Sequence, residues 1–98
     1  MAFTQTNYGN DGALVQNLNN QASNPFQLQG GLYGIDCVGT FSSTNAGLNK
    51  LGADGSTYVQ AITPFTANGY VTANLPPGLY EFTGTSTSFS MSISKIRA

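Results

Sequence analysis

The stretch that decides the fold is residues 70–96, which read YVTANLPPGLYEFTGTSTSFSMSISKI. Near its end, apolar and polar residues alternate strictly, which predicts a strand over 88–96 with one face in a core and the other in water. The same alternation over 70–75 predicts a second strand, and Pro76-Pro77-Gly78 closes it sharply before a third strand over 79–83. In the last strand the predicted core residues are Phe89, Met91 and Ile93, set against Ser88, Ser90, Ser92 and Ser94.

Toward the N-terminus, the same reasoning predicts four further short strands, at 25–29, 32–41, 48–51 and 57–62. Turn dipeptides separate the predicted strands, and two of them suit the positive φ values of tight hairpin turns. These dipeptides are Gly30-Gly31, Asp54-Gly55 and Asn68-Gly69, of which the last two are the hairpin candidates. In the segment 32–41, Tyr33, Ile35, Cys37 and Phe41 fall on one face at period two, with Asp36 and Thr40 on the other.

About seven short strands at this spacing, with no helical period beyond the first 20 residues, predict an all-β fold. We expect an antiparallel β-sandwich or small barrel over residues 25–98, beginning at the boundary Asn24-Pro25. Residues 1–24 are rich in Asn and Gln and are expected to form a polar, irregular N-terminal arm, either frayed or ordered on a partner subunit. Its one weak apolar cluster consists of Ala13, Leu14, Val15 and Leu18.

Reactive side chains are nearly absent from this chain of 98 residues, which has no His, one Cys, three basic and four acidic residues. Catalysis near neutral pH needs a base, an activated nucleophile or a metal cage, and those groups come mostly from His, Asp, Glu, Lys and Cys. Asp54 is explained by its turn, and Glu81 is predicted to face solvent in a strand rather than to act as a glycosidase-type acid. We therefore predict no enzymatic activity, no catalytic residue and no cofactor.

Sequence motifs for metal or nucleotide binding are equally weak. Asn10-Asp11-Gly12 has a slight similarity to a calcium loop, but it lacks the repeated Asp/Asn spacing and the distal Glu that supply most ligands. No glycine cluster takes the phosphate-binding form G-x-x-x-x-G-K-[ST]. We therefore predict neither a metal site nor a nucleotide site.

The charge balance bears on partners. Lys50, Lys95 and Arg97 are the whole basic inventory, too few for the counterion displacement that nucleic-acid binding needs. No signal peptide and no apolar run approaching about 18 residues is encoded, so no membrane partner is expected. A net charge of −1 gives little self-repulsion, which favours a homo-oligomer. Cys37 has no disulfide partner and, in its apolar run, is predicted to be a small buried residue.

The tyrosines are the remaining candidates for a binding site, because exposed aromatic rings can serve as stacking platforms for sugars. Strand tyrosines usually bury the ring and leave the hydroxyl hydrogen-bonded at the margin. We therefore favour core or subunit contacts over glycan stacking, and Tyr58, Tyr70 and Tyr80 are the rings that a glycan site would use. The full set is Tyr8, Tyr33, Tyr58, Tyr70 and Tyr80.

The second half of the chain carries a family resemblance. Residues 75–82 read LPPGLYEF, followed by Thr83-Gly84-Thr85 and by a last alternating strand that ends over residues 91–96. This succession resembles the C-terminal portion of small virion proteins of tailed bacteriophages, and the similarity extends over residues 30–98. The resemblance implies a compact β-sandwich that assembles, often as a trimer, on the outside of a capsid or in a fibre. Those proteins commonly carry Arg where this chain has Glu81, so the resemblance implies no shared ionic contact at that position.

From these features we expect a virion structural protein, namely a capsid decoration or cement protein that binds the major capsid protein or other virion subunits. Its expected place is the virion, assembled in the host cytoplasm. The alternative is a receptor- or carbohydrate-binding module at a phage fibre or spike. Residues 1–24 have no counterpart in the resemblance, so we expect a chain-specific attachment device there and a domain that stays folded after their deletion.

Overall fold

A computed structural model of the chain describes residues 3–9, 11–18, 21–39, 46–84 and 89–96. These residues form nine strands, and the predicted all-β antiparallel sandwich is confirmed. Two more strands are present than the seven expected, because the N-terminal segment contributes a pair. The strands are β1 (Thr4–Asn7), β2 (Gly12–Leu18), β3 (Phe26–Leu28), β4 (Gly31–Val38), β5 (Ala46–Leu51), β6 (Tyr58–Gln60), β7 (Gly69–Leu75), β8 (Gly78–Gly84) and β9 (Phe89–Lys95).

The strands are divided between two sheets. A five-stranded sheet has the order β1-β2-β9-β4-β7, and a four-stranded sheet has the order β3-β8-β5-β6. Every strand pair in the described residues is antiparallel. The strictly alternating segment that predicts the fold is therefore β9, and it lies at the centre of the larger sheet.

The core lies between the two sheets and is built from the inward side chains of each strand. Tyr33, Ile35 and Cys37 of β4 are completely buried, as their shared face predicts. Thr40, Phe41 and Ser88 lie outside the described residues. The rings of Phe26 and Phe82 have centroids 5.2 Å apart at a tilted angle and join two strands of the smaller sheet. The other large side chains that are fully buried include Leu18, Leu28, Leu48, Tyr80, Phe89, Met91 and Ile93.

The N-terminal segment differs from the irregular arm that the sequence predicts. β2 pairs with β9 of the same chain, and its side chains Ala13, Val15 and Leu18 are fully buried. The register shifts between Val15 and Leu18, where Asn17 has a φ of 62°. This β-bulge inserts one extra residue, so that Leu18 returns to the core face at a spacing of three. The interrupted alternation is why the apolar cluster does not read as a strand.

β1 closes one side of the sandwich through the side chain of Gln5, which makes the backbone hydrogen bonds that a neighbouring strand would otherwise make. The Gln5 amide accepts a hydrogen bond from the Asn24 backbone N–H at 2.9 Å and donates one to the Asn24 carbonyl at 3.0 Å. Both backbone groups of Asn24 are thereby satisfied at a point where Pro25 prevents continued strand pairing. The predicted boundary at Asn24-Pro25 is thus a break within the smaller sheet's edge, between a bridge at Ala22 and β3.

Ser23 lies on the core side of the same break and is only 5% exposed. It supplies hydrogen bonds that continued strand pairing would otherwise make. Its Oγ accepts a hydrogen bond from the Phe82 backbone N–H at 2.9 Å, and its own N–H donates to the Phe82 carbonyl at 2.8 Å. A buried N–H without such a partner would cost about 1–3 kcal/mol. The hydroxyl of Ser23 therefore keeps β8 fully bonded where the neighbouring chain bends away.

The two predicted hairpin turns have different outcomes. Asp54-Gly55 does connect the paired strands β5 and β6, and Gly55 has the expected positive φ of 78°. Asn68-Gly69 does not form a hairpin, because β6 and β7 belong to different sheets and the chain crosses between them here. Asn68 instead uses its side-chain oxygen to accept the Gly39 backbone N–H at 2.9 Å, which ties this crossover to the end of β4.

Candidate interaction surface

Among the described residues no three His, Cys, Asp or Glu side chains lie close enough to hold a metal ion. The described part of the chain also has no pocket, and it contains no helix of the length and hydrophobicity needed to cross a membrane.

Asp54 has the structural role that its turn predicts. Its carboxylate accepts hydrogen bonds from the Thr57 hydroxyl at 2.6 Å and from the backbone N–H groups of Thr57 and Ser56 at 2.9 and 3.0 Å. These bonds favour the charged form, the Thr57 hydroxyl most strongly, and lower the pKa of Asp54 from 3.8 to about 2. The β5–β6 hairpin is thus held by an ionised side chain.

This arrangement predicts an acid-dependent hairpin. Because the folded pKa lies below the unfolded value, the Asp54 carboxylate stabilises the hairpin above pH 3.8, and this contribution is lost as the pH falls toward about 2. We expect the amide proton resonances of Ser56 and Thr57 to titrate together with a midpoint near pH 2 in NMR spectra. Asp54→Asn should abolish this titration, whereas Asp36→Asn in the other sheet should leave it intact; persistence in Asp54→Asn would contradict the assignment.

The remaining acidic residues lie far apart in the fold. Asp11 follows the β1–β2 turn, where its side chain accepts a hydrogen bond from Gln29 at 2.9 Å; Asn10 lies outside the described residues. Glu81 is on β8 and is partly buried, so that desolvation raises its pKa. Glu81 is therefore less exposed to water than the sequence predicts.

Cys37 is buried, as predicted. It is fully covered on the core face of β4, and burial, together with the nearby charge of Asp36, raises the pKa of its thiol to about 11. A thiol with so high a pKa is almost entirely protonated near neutral pH and is a poor nucleophile. Cys37 is a core residue.

The tyrosines separate into core and surface groups. Tyr33 and Tyr80 are completely buried. The Tyr33 hydroxyl oxygen accepts the Gly30 backbone N–H at 3.2 Å, and the Tyr80 hydroxyl donates to the Pro76 carbonyl at 2.6 Å. Tyr80 therefore drops out of the set that could contact a glycan, because its ring belongs to the core. Tyr58 is partly buried, while Tyr8 and Tyr70 are 45% and 63% exposed.

The outward side of the five-stranded sheet presents the side chains that alternate with the core residues of its strands. Its composition follows from the register, because directly paired residues of neighbouring strands share a face. The serines of β9 point away from the core, and their partners in β2 and β4 point the same way. We call this surface the hydroxyl face, and it consists of Thr4, Thr6, Gly12, Leu14, Gln16, Ser90, Ser92, Ser94, Leu32, Gly34, Asp36, Val38, Tyr70, Thr72 and Asn74.

Charge is almost absent from the hydroxyl face. Asp36 is its one charged side chain within the described strands, and its carboxylate accepts a hydrogen bond from the Ser92 hydroxyl. The two described lysines lie elsewhere. Lys50 is on the other sheet, and Lys95 shares the inward side of β9, because it pairs with the buried Tyr33. Arg97 lies outside the described residues. The face thus offers hydroxyl and amide groups rather than ions.

Exposed apolar side chains are concentrated along β4 and β7 on this face. Leu32, Val38 and Tyr70 are 39%, 57% and 63% exposed. The Tyr70 ring lies across Gly34 of the neighbouring strand, with ring atom Cζ 3.0 Å from the position that a Cβ would occupy there. Gly34, which has no side chain, therefore leaves the space that the ring occupies. We call Leu32, Val38 and Tyr70 the apolar strip; it lies beside the serine and threonine hydroxyl groups of the hydroxyl face.

Sequence reasoning identifies the outward residues of each strand but not the strip. The alternation in β7 and β9 correctly assigns Tyr70, Thr72 and the serines to the solvent side. The strip depends on β4 and β7 being neighbours, which follows only from the strand order. The sequence signal that could have suggested the strip is that Leu32, Val38 and Tyr70 are large apolar residues at positions that alternate with the core residues of β4 and β7. Comparisons with known proteins identify no relative, since no family model, curated protein sequence or solved structure matches this chain.

Proposed function

We propose that this protein is a virion structural protein, a capsid decoration or cement protein that binds assembled coat subunits and stabilises the particle. Its partners are then the major capsid protein or other virion subunits, and it acts as a homo-oligomer, for which the resemblance implies a trimer. It contributes a surface rather than a reaction. The resemblance of residues 75–96 to small virion proteins of tailed bacteriophages supports this proposal.

The observation that carries the proposal is the hydroxyl face with its apolar strip. A broad sheet face that presents Ser, Thr and Asn groups around Leu32, Val38 and Tyr70 fits a neutral protein surface, because Asp36, which already accepts a hydrogen bond from Ser92, is the one charge of its described strands that the contact would desolvate. Each copy would bury a modest area. On a particle with many symmetric copies, multivalency makes the total attachment strong.

Substitution in the apolar strip tests the proposal. Val38→Glu places a charge in the proposed contact and is expected to reduce occupancy on virus particles at least tenfold, as measured by quantitative mass spectrometry of purified particles. Val59→Glu is the matched control, because Val59 is a similarly exposed valine, 50% against 57%, on the other sheet. Equal occupancy for both variants would contradict attachment through the hydroxyl face. Absence of the wild-type chain from particles seen by electron microscopy would contradict the function itself.

Salt separates this mode of attachment from an ionic one. At about 1 M NaCl the screening length falls to about 3 Å, which removes most surface ionic contacts but strengthens apolar burial slightly. We expect the wild-type chain to stay on particles through such a wash at neutral pH. Release of the chain under these conditions would show that charged groups make the contact.

A carbohydrate-binding module at a fibre or spike is the second candidate, and the exposed Tyr70 ring favours it. The ring lies over Gly34 on the outward face, where Asp36 and Thr72 are its neighbours in the register, an arrangement that suits contact with a sugar. In that case Tyr70→Ala would abolish binding on a glycan array, whereas Tyr8→Ala at the distant β1–β2 turn would not. An array with no bound glycan for the wild-type chain would dismiss this candidate.

A further inference from the structure

The four edge strands of the sandwich differ in how their free sides are protected. β1 has four residues and is fixed to Asn24 by the Gln5 side chain, and β3 and β6 have three residues each. β7 has seven residues, GYVTANL, with no charged residue and no proline. Long uncharged edges are the ones that accept another strand, and natural proteins usually protect them with Lys, Pro or a bulge. β7 has none of these features.

The backbone groups on the free side of β7 can be assigned from the register. Ile96 N–H donates to the Leu32 carbonyl at 2.9 Å, so Leu32 directs its backbone groups toward β9. Backbone groups alternate in direction along an antiparallel strand, so Tyr33 directs its groups toward β7, where it pairs with Ala73. It follows that Tyr70, Thr72 and Asn74 direct their N–H and C=O groups away from β4. These are the groups that another strand would meet.

The inward side of the same edge is also uncovered. Val71 pairs with the fully buried Ile35 and therefore faces inward, yet it is 39% exposed. On the smaller sheet, Val59 of β6 pairs with Lys50, and Lys50 pairs with the buried Tyr80, so Val59 also faces inward. Val59 is nevertheless 50% exposed. The sheets thus leave two inward-facing valines open to water on this side, whereas Gln5 and Asn24 close the opposite side.

We propose that β7 pairs antiparallel with β7 of a second copy of this chain, across a two-fold axis at Thr72. With Thr72 opposite itself, all seven residues of the strand are matched. Tyr70 lies opposite Asn74 of the second copy, and both residues direct their backbone groups into the new pair. Each such pair exchanges both N–H···O bonds. Two identical edges are complementary here because neither brings a charge to oppose its copy.

The side chains agree with this register on both faces. On the inner face Val71 lies opposite Ala73 of the second copy, which covers part of the exposed valine. On the outer face, Tyr70 meets Asn74 and Thr72 meets Thr72, so the hydroxyl face becomes continuous across ten strands. This pairing does not depend on the proposed function. It also leaves the other edges of the sandwich free for a trimer contact.

The oligomeric state of the full chain tests the pairing. We expect wild-type protein to form a concentration-dependent dimer in sedimentation velocity experiments. Thr72→Lys places two ammonium groups opposite each other at the axis and is expected to weaken dimerisation at least tenfold. Thr6→Lys is the matched control, since Thr6 is an exposed threonine on the same face of the opposite edge strand, and it should dimerise like wild type. Equal dimerisation of both lysine variants would overturn the proposal.

Amide hydrogen exchange on the wild-type chain provides a second readout that does not depend on a variant's ability to fold. The N–H groups of Tyr70, Thr72 and Asn74 should become protected as the protein concentration rises through the dimerisation range. The N–H groups of Val71 and Ala73 already bond to β4 and should change little. A wild-type chain that stays monomeric, or a dimer in which Tyr70, Thr72 and Asn74 exchange freely, would overturn the proposal; the latter would place the dimer contact on another surface.

Discussion

Val15→Asp is expected to unfold the protein almost completely at 25 °C. The Val15 side chain is fully buried between the two sheets, in a core cluster of apolar side chains. An unpaired buried carboxylate destabilises a fold by at least about 4 kcal/mol. A domain of this size has about 5–15 kcal/mol in total. Urea denaturation followed by circular dichroism should show loss of the folded baseline or a greatly lowered midpoint.

Gln16→Asp is the matched control for this prediction. Gln16 is the next residue of the same strand and is exposed, so the same new charge should change the free energy of unfolding by less than about 0.5 kcal/mol. A Val15→Asp variant as stable as Gln16→Asp would show that β2 is not part of the core. It would also restore the irregular arm that composition alone predicts for residues 1–24.

The same reasoning changes the expectation for deleting residues 1–24. Removal of this segment would take away β1 and β2, with three fully buried side chains, and would leave β9 as an unpaired edge. An exposed β9 edge, on which Lys95 is the one charged residue, invites aggregation. We now expect the truncated chain to be unstable, so that attachment by this segment is better tested by single substitutions at its exposed residues.

The central strands could be predicted from the sequence because their pattern is uninterrupted. β9 alternates apolar residues with serines, and β4 alternates Tyr33, Ile35 and Cys37 with Gly34 and Asp36, so the core face of each strand is fixed by period two. The Pro76-Pro77-Gly78 break separates β7 from β8 for the same local reason. Local information is sufficient where backbone geometry and burial agree.

Features that depend on distant contacts could not be predicted. The bulge at Asn17 conceals the alternation in β2, and only pairing with β9 shows that Leu18 returns to the core. The crossing at Asn68-Gly69 looks like a hairpin turn until the sheet order places β6 and β7 apart. Ser23 is one of many serines in the sequence, and its buried role depends on the Phe82 N–H, 59 residues away.

The candidate surface was predictable in chemistry but not in arrangement. Low charge and abundant hydroxyl groups indicate a neutral contact surface, and alternation assigns the outward residues of each strand. The register then decides that Tyr70 lies on Gly34 and that Ser92 bonds to Asp36. The sequence leaves the Tyr80 ring available for binding. In the structure the ring is buried and only its hydroxyl reaches the margin of the core, where it bonds to the Pro76 carbonyl.

Phe82→Ala is expected to lower the free energy of unfolding by about 3–5 kcal/mol, because it removes a fully buried ring from the smaller sheet and leaves a cavity. Its contact with Phe26 can be measured separately. A double-mutant cycle of Phe82→Ala with Phe26→Ala should give a coupling energy of about 0.5–1.5 kcal/mol, as for other tilted aromatic pairs. Gln27→Ala, at an exposed neighbour of Phe26, is the control and should change stability by less than about 0.5 kcal/mol.

The same variant separates folding from attachment. Phe82 lies in the core of the four-stranded sheet and has no atom on the hydroxyl face, so Phe82→Ala protein kept well below its melting temperature should occupy particles as wild type does. Val38→Glu should show the opposite behaviour, with near-normal stability and reduced occupancy. Reduced occupancy for Phe82→Ala while circular dichroism still shows the native fold would place the attachment surface on the smaller sheet. The hydroxyl face would then be a solvated outer surface of β4 and β9 with no role in attachment.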